Sequence, residues 1–83
     1  MGNRNHVLNA LGLNIRKWRE EKELTQEALA ERADLDPTYI SGIERGKRNP
    51  SVLSVLRIAK ALGVTTSKLM EKVEDNGNSQ RSR

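Results

Sequence analysis

The chain has 83 residues and a formal net charge of +4, which correspond to one small domain. It contains no cysteine, so disulfides and thiolate metal sites are excluded and a reducing cytoplasm is the expected compartment. No apolar run approaches the roughly 20 residues needed to cross a bilayer, and the N-terminus lacks the apolar segment of a signal peptide. No membrane partner is therefore expected. Trp18 and Tyr39 are the only aromatic residues, so Leu, Ile, Val and Ala must build the core, which suits packed helices.

The first predicted element is an amphipathic helix over about residues 8–22. Its apolar residues recur at spacings of three or four, which is typical of one helix face: Leu8, Leu11, Ile15 and Trp18. Gly12 weakens the start of this helix. Residues 1–7 are expected to form a flexible leader, and Trp18 is expected in the core rather than in a binding site.

A second short helix and a tight turn are predicted next. Thr25 is a good N-cap, because its hydroxyl can accept from an amide two or three residues further on. The buried stripe of this helix consists of Leu29, Ala30 and Ala33. Asp34 lies where the chain must turn, and Asp tolerates left-handed backbone better than most residues. Leu35 is expected to fill the turn from the core side.

The third predicted helix is capped by Asp36 and begins with Pro37, whose fixed φ suits a first helical position. Ile40 and Ile43 are expected to point into the core, and Gly46 to end the helix. This arrangement leaves four residues outward or flanking: Thr38, Tyr39, Ser41 and Gly42.

Two more helices complete the prediction. Ser51 caps the fourth, which ends at Gly63 and has an inner stripe of Val52, Val55, Ala59 and Leu62. Thr65 opens the fifth, which runs to about Val73 with Leu69 and Met70 as its apolar anchors. Residues 74–83 contain no apolar residue and are expected to be disordered. The predicted fold class is therefore all-α, with five helices and no strand.

The charge changes sign along this series of helices. Residues 23–44 carry −5, whereas residues 45–60 carry +5 without a single acidic residue. A basic segment directly after the third helix favours a polyanionic partner, although a solvated basic surface also produces such a bias.

The segment LTQEALAERADLDPTYISGIERGKRNPS, residues 24–51, resembles the Cro/repressor-like (Xre family) helix-turn-helix domain. The resemblance covers about residues 8–73, with the motif itself at about 25–45. The part TYISGIERGKRNPS is especially similar to small controller proteins of restriction-modification systems. The resemblance implies a lambda repressor-like domain that binds double-stranded DNA sequence-specifically and regulates transcription. A pseudo-palindromic operator, a homodimer and a third helix in the major groove are implied with it.

The resemblance also implies site residues. Gln26 would touch a phosphate at the start of the second helix, the third helix would read base edges, and the basic loop after it would clamp phosphates. The full DNA-contacting set is Thr25, Gln26, Asp36, Pro37, Thr38, Tyr39, Ser41, Arg45, Lys47, Arg48 and Asn49. Arg19 and Glu44 match the positions of a partly buried ion pair that holds the first helix to the end of the third.

Two departures from the family pattern lie in the third helix. Relatives often carry a base-reading Arg or Gln where this chain has Pro37, and another polar reader where it has Gly42. Neither residue can donate a side-chain hydrogen bond, so we expect sparse direct readout and a larger contribution from DNA shape. Tyr39 could instead pack over the helix end, with Thr38 solvated.

A homodimer is expected because one such module contacts too little DNA for tight specific binding. The candidate interface residues are Leu53, Leu56, Ile58, Leu69, Met70 and Val73, and the alternative is that several of them simply complete a small core.

Other functions find little support in the sequence. His6, the only histidine, has no acid or second histidine beside it, and no nucleophile–base pair, phosphate loop or metal spacing appears. An enzyme, a metal site and a cofactor are therefore not expected. No sensor segment follows residue 73, so no small-molecule effector is expected. The second hypothesis is a protein-interaction module, such as an antitoxin-like partner or an adaptor, because the third helix is neutral and poor in base readers. Either protein would be cytoplasmic, and a DNA-binding one would associate with the nucleoid.

Overall fold

The computed structural model describes residues 3–74, which fold into five α-helices without a strand. The helices are α1 (Asn3–Glu21), α2 (Gln26–Ala33), α3 (Pro37–Glu44), α4 (Val52–Leu62) and α5 (Thr66–Leu69). The all-α prediction is thus confirmed. Residues 1–2 of the predicted leader and residues 75–83 of the predicted tail lie outside the described residues.

The first helix begins earlier than the sequence suggested. α1 starts at Asn3 rather than near Leu8, so residues 3–7 are helical and not a flexible leader. No Pro or Gly interrupts these residues, and Leu8 is buried while Val7 is half-buried. The packing of these two side chains gives the first turns an apolar contact that a frayed leader would lack.

Gly12 has a packing role instead of marking the start of a helix. It is buried in the middle of α1, and a Cβ at this position would lie 2.6 Å from the carbonyl oxygen of Glu44 and would also meet that of Ile43. The missing side chain therefore lets α1 cross the end of α3 at close range.

The turn between α2 and α3 follows the local chemistry of its residues. The Thr25 hydroxyl accepts from the amide of Ala28 at 3.0 Å, and the Asp36 carboxylate accepts from the amide of Thr38 at 2.7 Å. Asp34 has φ 59°, in the left-handed region. These caps set the angle at which α3 leaves α2 and presents its N-terminus.

The end of α3 differs in one detail from its prediction. The helix ends at Glu44 with Arg45 as its cap, and Gly46, at φ 73°, lies one residue further on. The amides of Gly46 and Lys47 donate to the carbonyl oxygens of Ile43 and Gly42 at 3.0 and 2.8 Å. This is the Schellman arrangement, in which glycine follows the cap.

The core lies where α1 to α5 converge, and it corrects the predicted stripe of α4. Ile58 and Leu69 are 0% exposed and belong to this core, whereas Val52 is 77% exposed. Val52 is the first residue of its helix and projects beyond the neighbouring elements. The buried residues of the core are Leu11, Ile15, Leu29, Ala30, Ala33, Ile40, Ile43, Ile58, Ala59, Leu62 and Leu69.

The last helix is shorter than expected. α5 ends at Leu69 instead of Val73, with Met70 as its cap. Lys72 adopts a left-handed φ of 63°, which reverses the chain, and Val73 packs against the core. Three of the six predicted interface residues, Ile58, Leu69 and Val73, therefore contribute to the core of the single chain.

Candidate nucleic-acid interface

The N-terminus of α3 is the most accessible part of the motif. Pro37 and Thr38 are exposed, while Tyr39 and Ser41 are half-buried. The Asp36 carboxylate is exposed but engaged in capping the helix. Thr38 is consequently the residue of this turn whose side chain is both polar and freely accessible.

Gly42, predicted to face outward or to flank the helix, is buried because the Arg48 side chain lies over it. A Cβ on Gly42 would be 2.5 Å from Cγ of Arg48, and the Arg48 amide donates to the Gly42 carbonyl oxygen at 3.2 Å. The guanidinium carbon of Arg48 is 5.0 Å from the centre of the Tyr39 ring, within range of a cation–π interaction. The loop thus places a cationic side chain along the face of α3 where Gly42 has no side chain of its own.

The hydroxyl of Tyr39 is held by the start of α4. It donates to Oγ of Ser54 at 3.2 Å and accepts from the amide of Ser51 at 3.3 Å. Ser54 is buried, and its amide is capped by the Ser51 hydroxyl at 3.0 Å. This position agrees with the alternative that Tyr39 packs over a helix end, and it fixes α3 to α4 through polar contacts that the sequence analysis missed.

The loop after α3 is cationic and accessible. Arg45, Lys47, Arg48 and Asn49 are all exposed, and within residues 3–74 no carboxylate forms an ion pair with any of the three cations. Arg45 makes a long bond of 3.4 Å from Nε to Oγ of Ser41. The charges of Arg45, Lys47 and Arg48 are therefore available to an anionic partner.

Arg19 and Glu44 form a bidentate ion pair between α1 and the end of α3. Nε and Nη2 of Arg19 donate to the two carboxylate oxygens at 2.6 and 3.0 Å, and the side chains are 12% and 3% exposed. The hydrogen bond to Glu44 raises the pKa of Arg19 above its ordinary value, against the lowering by burial. A third donor, Nη1 of Arg19, reaches the Leu24 carbonyl oxygen at 2.8 Å.

Gln26 belongs to the same network. Its Nε2 donates to Glu44 at 2.9 Å, and its side chain is partly buried at the first position of α2. One of its two N–H groups is therefore taken by protein. Glu44 thereby connects three elements, α1, α2 and α3, which the sequence spacing of these residues did not reveal.

An apolar groove lies beside the basic loop. Its walls come from the first half of α1, the start of α4 and the end of α5, and its lining includes Leu8, Leu11, Asn49, Pro50, Val52, Leu56 and Met70. Among large apolar residues, Leu53, Leu56 and Met70 are 57%, 49% and 38% exposed.

Residues 3–74 contain no cluster of His, Asp and Glu that could hold a metal ion. His6 is exposed on α1. Within the same described range, every helix is too short or too polar to span a membrane.

Comparison with known proteins identifies the motif. The helix-turn-helix family matches residues 15–69. The chain is 42% identical over 71 residues to the control protein C.MunI of a Mycoplasma species, covering 84% of this chain and 96% of that protein. It is 43% identical over 68 residues to the control protein C.BamHI of Bacillus amyloliquefaciens, covering 81% and 84%.

A solved structure agrees with these sequence relatives. The restriction-modification controller protein C.AhdI from Aeromonas hydrophila superimposes with a TM-score of 0.74 at 40% identity, over 75% of this chain and 94% of that one. The family match, the relatives and the fold all point to the same class of protein. The chain belongs to the Xre-like helix-turn-helix family of DNA-binding transcription regulators.

Proposed function

We propose that this protein is a homodimeric, sequence-specific regulator that binds a pseudo-palindromic operator with α3 in the major groove. By similarity to the relatives named as control proteins, the regulated genes are those of a restriction-modification system. The observation that carries the proposal is the accessible N-terminus of α3, bordered by a loop with three unpaired cations in the described chain.

Hydrogen bonds join the three helices beneath this surface. Glu44 ends α3 and is bonded both to Arg19 of α1 and to Gln26 at the start of α2. A phosphate contact at the start of α2 and base contacts from α3 would therefore keep a fixed spacing. Such a fixed spacing favours binding to a rigid duplex, because little ordering is needed on association.

The cationic loop divides into two proposed roles. Arg45 and Lys47 are exposed and would contact phosphates. Arg48 lies along α3 beside Tyr39 and Gly42, and from there its guanidinium could pair with the acceptor edge of a guanine. Arg48 would then supply a base contact that the side chains of Pro37 and Gly42 do not provide.

The proposed dimer uses the apolar groove and its surroundings. Val52, Leu53, Leu56 and Met70 are between 38% and 77% exposed on one side of the chain's last two helices. Burying such a patch is favourable at roughly 25 cal/mol per Å² of apolar surface. A second copy is the occupant we propose, since two-fold pairing would place two copies of α3 about 34 Å apart, one turn of DNA.

Selection of preferred duplexes from a random pool, followed by fluorescence-anisotropy titrations, tests the proposal. We expect a symmetric site and binding of the selected duplex at least ~1,000-fold tighter than random DNA. Equal affinity for both would contradict sequence-specific binding and favour a protein-interaction module.

A matched pair of variants tests the loop. Lys47→Ala should weaken binding to every sequence and lower the slope of log K against log salt concentration by about one. Lys60→Ala, at the end of α4 farthest from the loop, should leave the slope unchanged. Equal slopes in the two variants would refute the phosphate contact.

A further inference from the structure

The side-chain amide of Asn14, on α1, joins two distant parts of the chain. Its Nδ2 donates to the carbonyl oxygens of Leu69 and Glu71 at 2.8 and 2.9 Å. An amide nitrogen has two N–H groups, and both are used here. Asp, Ser and Thr cannot supply two such donors, so none of them could make both bonds.

The two acceptors belong to a short segment that the core holds through the side chains of Leu69 and Val73. α5 is a single turn of four residues, and the last carbonyl groups of a helix have no partner within it. Beyond it the chain reverses at Lys72. Asn14 therefore satisfies carbonyl groups that would otherwise depend on water, and it fixes the backbone on both sides of Met70.

Met70 lies between the two acceptors and lines the apolar groove. The opposite wall of the groove includes Leu11, which is three residues before Asn14 and on the same face of α1. The Asn14 amide thus joins α1, which carries one wall of the groove, to the backbone on both sides of Met70.

We propose that Asn14 is a positioning residue for the homodimer interface: it holds Met70 and the end of α5 at the distance from α1 that a second copy requires. The inference rests on the proposed function, in which this groove is covered by the partner. The side chain of Leu69 lies in the same core as Ile15, Ile40 and Ile58, so the test has to separate an effect on the dimer from an effect on overall stability.

Asn14→Ala removes both donors, and Asn14→Asp keeps the shape while placing acceptor oxygens against two carbonyl oxygens. Lys17→Ala, an exposed change on the same helix, is the control. Sedimentation equilibrium gives the dimer dissociation constant of each variant. Hydrogen exchange and thermal unfolding are measured at a concentration where the protein is monomeric.

We expect the dimer dissociation constant of Asn14→Ala to be about tenfold higher than that of the wild type, a loss of about 1.4 kcal/mol in dimer stability. Asn14→Asp should raise the constant further, and Lys17→Ala should leave it unchanged. In the monomeric variants, amides of residues 66–73 should exchange faster while those of α2 and α3 keep the wild-type rate.

Two results would overturn the inference while leaving the homodimer intact. One is faster exchange in residues 66–73 with an unchanged dissociation constant. The other is weaker dimers accompanied by faster exchange throughout the chain, which would mean that Asn14 supports overall stability alone. A wild-type protein that stays monomeric at high concentration would instead overturn the proposed dimer, and this inference with it.

Discussion

Replacing Arg19 by Met should destabilise the fold far more than the loss of a surface charge would. The change removes two hydrogen bonds to Glu44 and one to the Leu24 carbonyl oxygen. It also leaves a carboxylate that is 3% exposed with Gln26 as its remaining side-chain partner in the described chain. Breaking a buried pair from one side costs roughly 3–5 kcal/mol, a large share of the 5–15 kcal/mol typical of a domain.

Arg16→Met is the matched control on the same helix. Arg16 and Glu20 form an ion pair at 3.1 Å, but their side chains are 59% and 56% exposed. Exposed pairs four residues apart in a helix contribute about 0.3–0.5 kcal/mol, so this variant should unfold almost like the wild type. The two variants remove the same charge, and they differ in the burial of the partner left behind.

Urea unfolding followed by far-UV circular dichroism measures both variants at one protein concentration. The double variant Arg19→Met/Glu44→Leu should recover much of the loss, because no buried charge then remains unpaired. A loss below about 1 kcal/mol for Arg19→Met would refute the reasoning, as would a double variant that is no more stable than Arg19→Met alone.

Three other substitutions test local features. Gly12→Ala should lower the free energy of unfolding by at least about 2 kcal/mol, because its Cβ would strike backbone oxygens of α3. Gly63→Ala, in open space at φ 73°, should lower it by about 1 kcal/mol, the cost of left-handed backbone. Thermal unfolding measures both, and equal losses would argue against the close crossing. Gly42→Ala should displace Arg48 and weaken binding to a selected duplex more than to random DNA, and a uniform loss would contradict the proposed base contact. Thr25→Ala should lower the free energy of unfolding in urea by about 1 kcal/mol, because it removes the N-cap hydrogen bond to Ala28. An unchanged urea midpoint would contradict that contribution.

The N-termini of α2 to α5 could be predicted because their chemistry is local. Thr25, Asp36, Ser51 and Thr65 all cap helices, and an N-cap bond joins residues two or three positions apart. The left-handed backbone of Asp34 followed from similar reasoning. Glu23 also has a left-handed φ, 61°, but glutamate does not favour left-handed backbone, so this turn could not be predicted.

The phase of α4 could not be predicted by periodicity. Apolar residues occur on nearly every side of this helix, so stripes that begin at Val52 or at Val55 fit about equally well. Burial of Ile58 was decided by the packing of α4 against α2 and α5, which is tertiary information. This is why part of the predicted dimer surface turned out to be core.

Long-range side-chain contacts could be predicted only where the family resemblance supplied them, as it did for Arg19 and Glu44. Asn14 and Leu69 are 55 residues apart, and Gln26 and Glu44 are 18 apart. The charge of the loop could be predicted from its composition alone. The path of Arg48 across Gly42 could not, because it depends on how the chain turns after α3. Spacing indicates which helix face a residue shares, but it does not give its partner on another helix.

Along α3, the residues that hold the fold are separate from the residues that are exposed. Its buried residues Ile40, Ile43 and Glu44 hold the fold, while Pro37 and Thr38 stand exposed at the other end. Substitutions at exposed sites away from helix caps and special backbone positions usually change stability by no more than about 0.5 kcal/mol. In the proposed complex with DNA, a duplicated copy of this gene could exchange Thr38 and acquire a new operator without a compensating change in its core, whereas Pro37 also supports the first turn of α3.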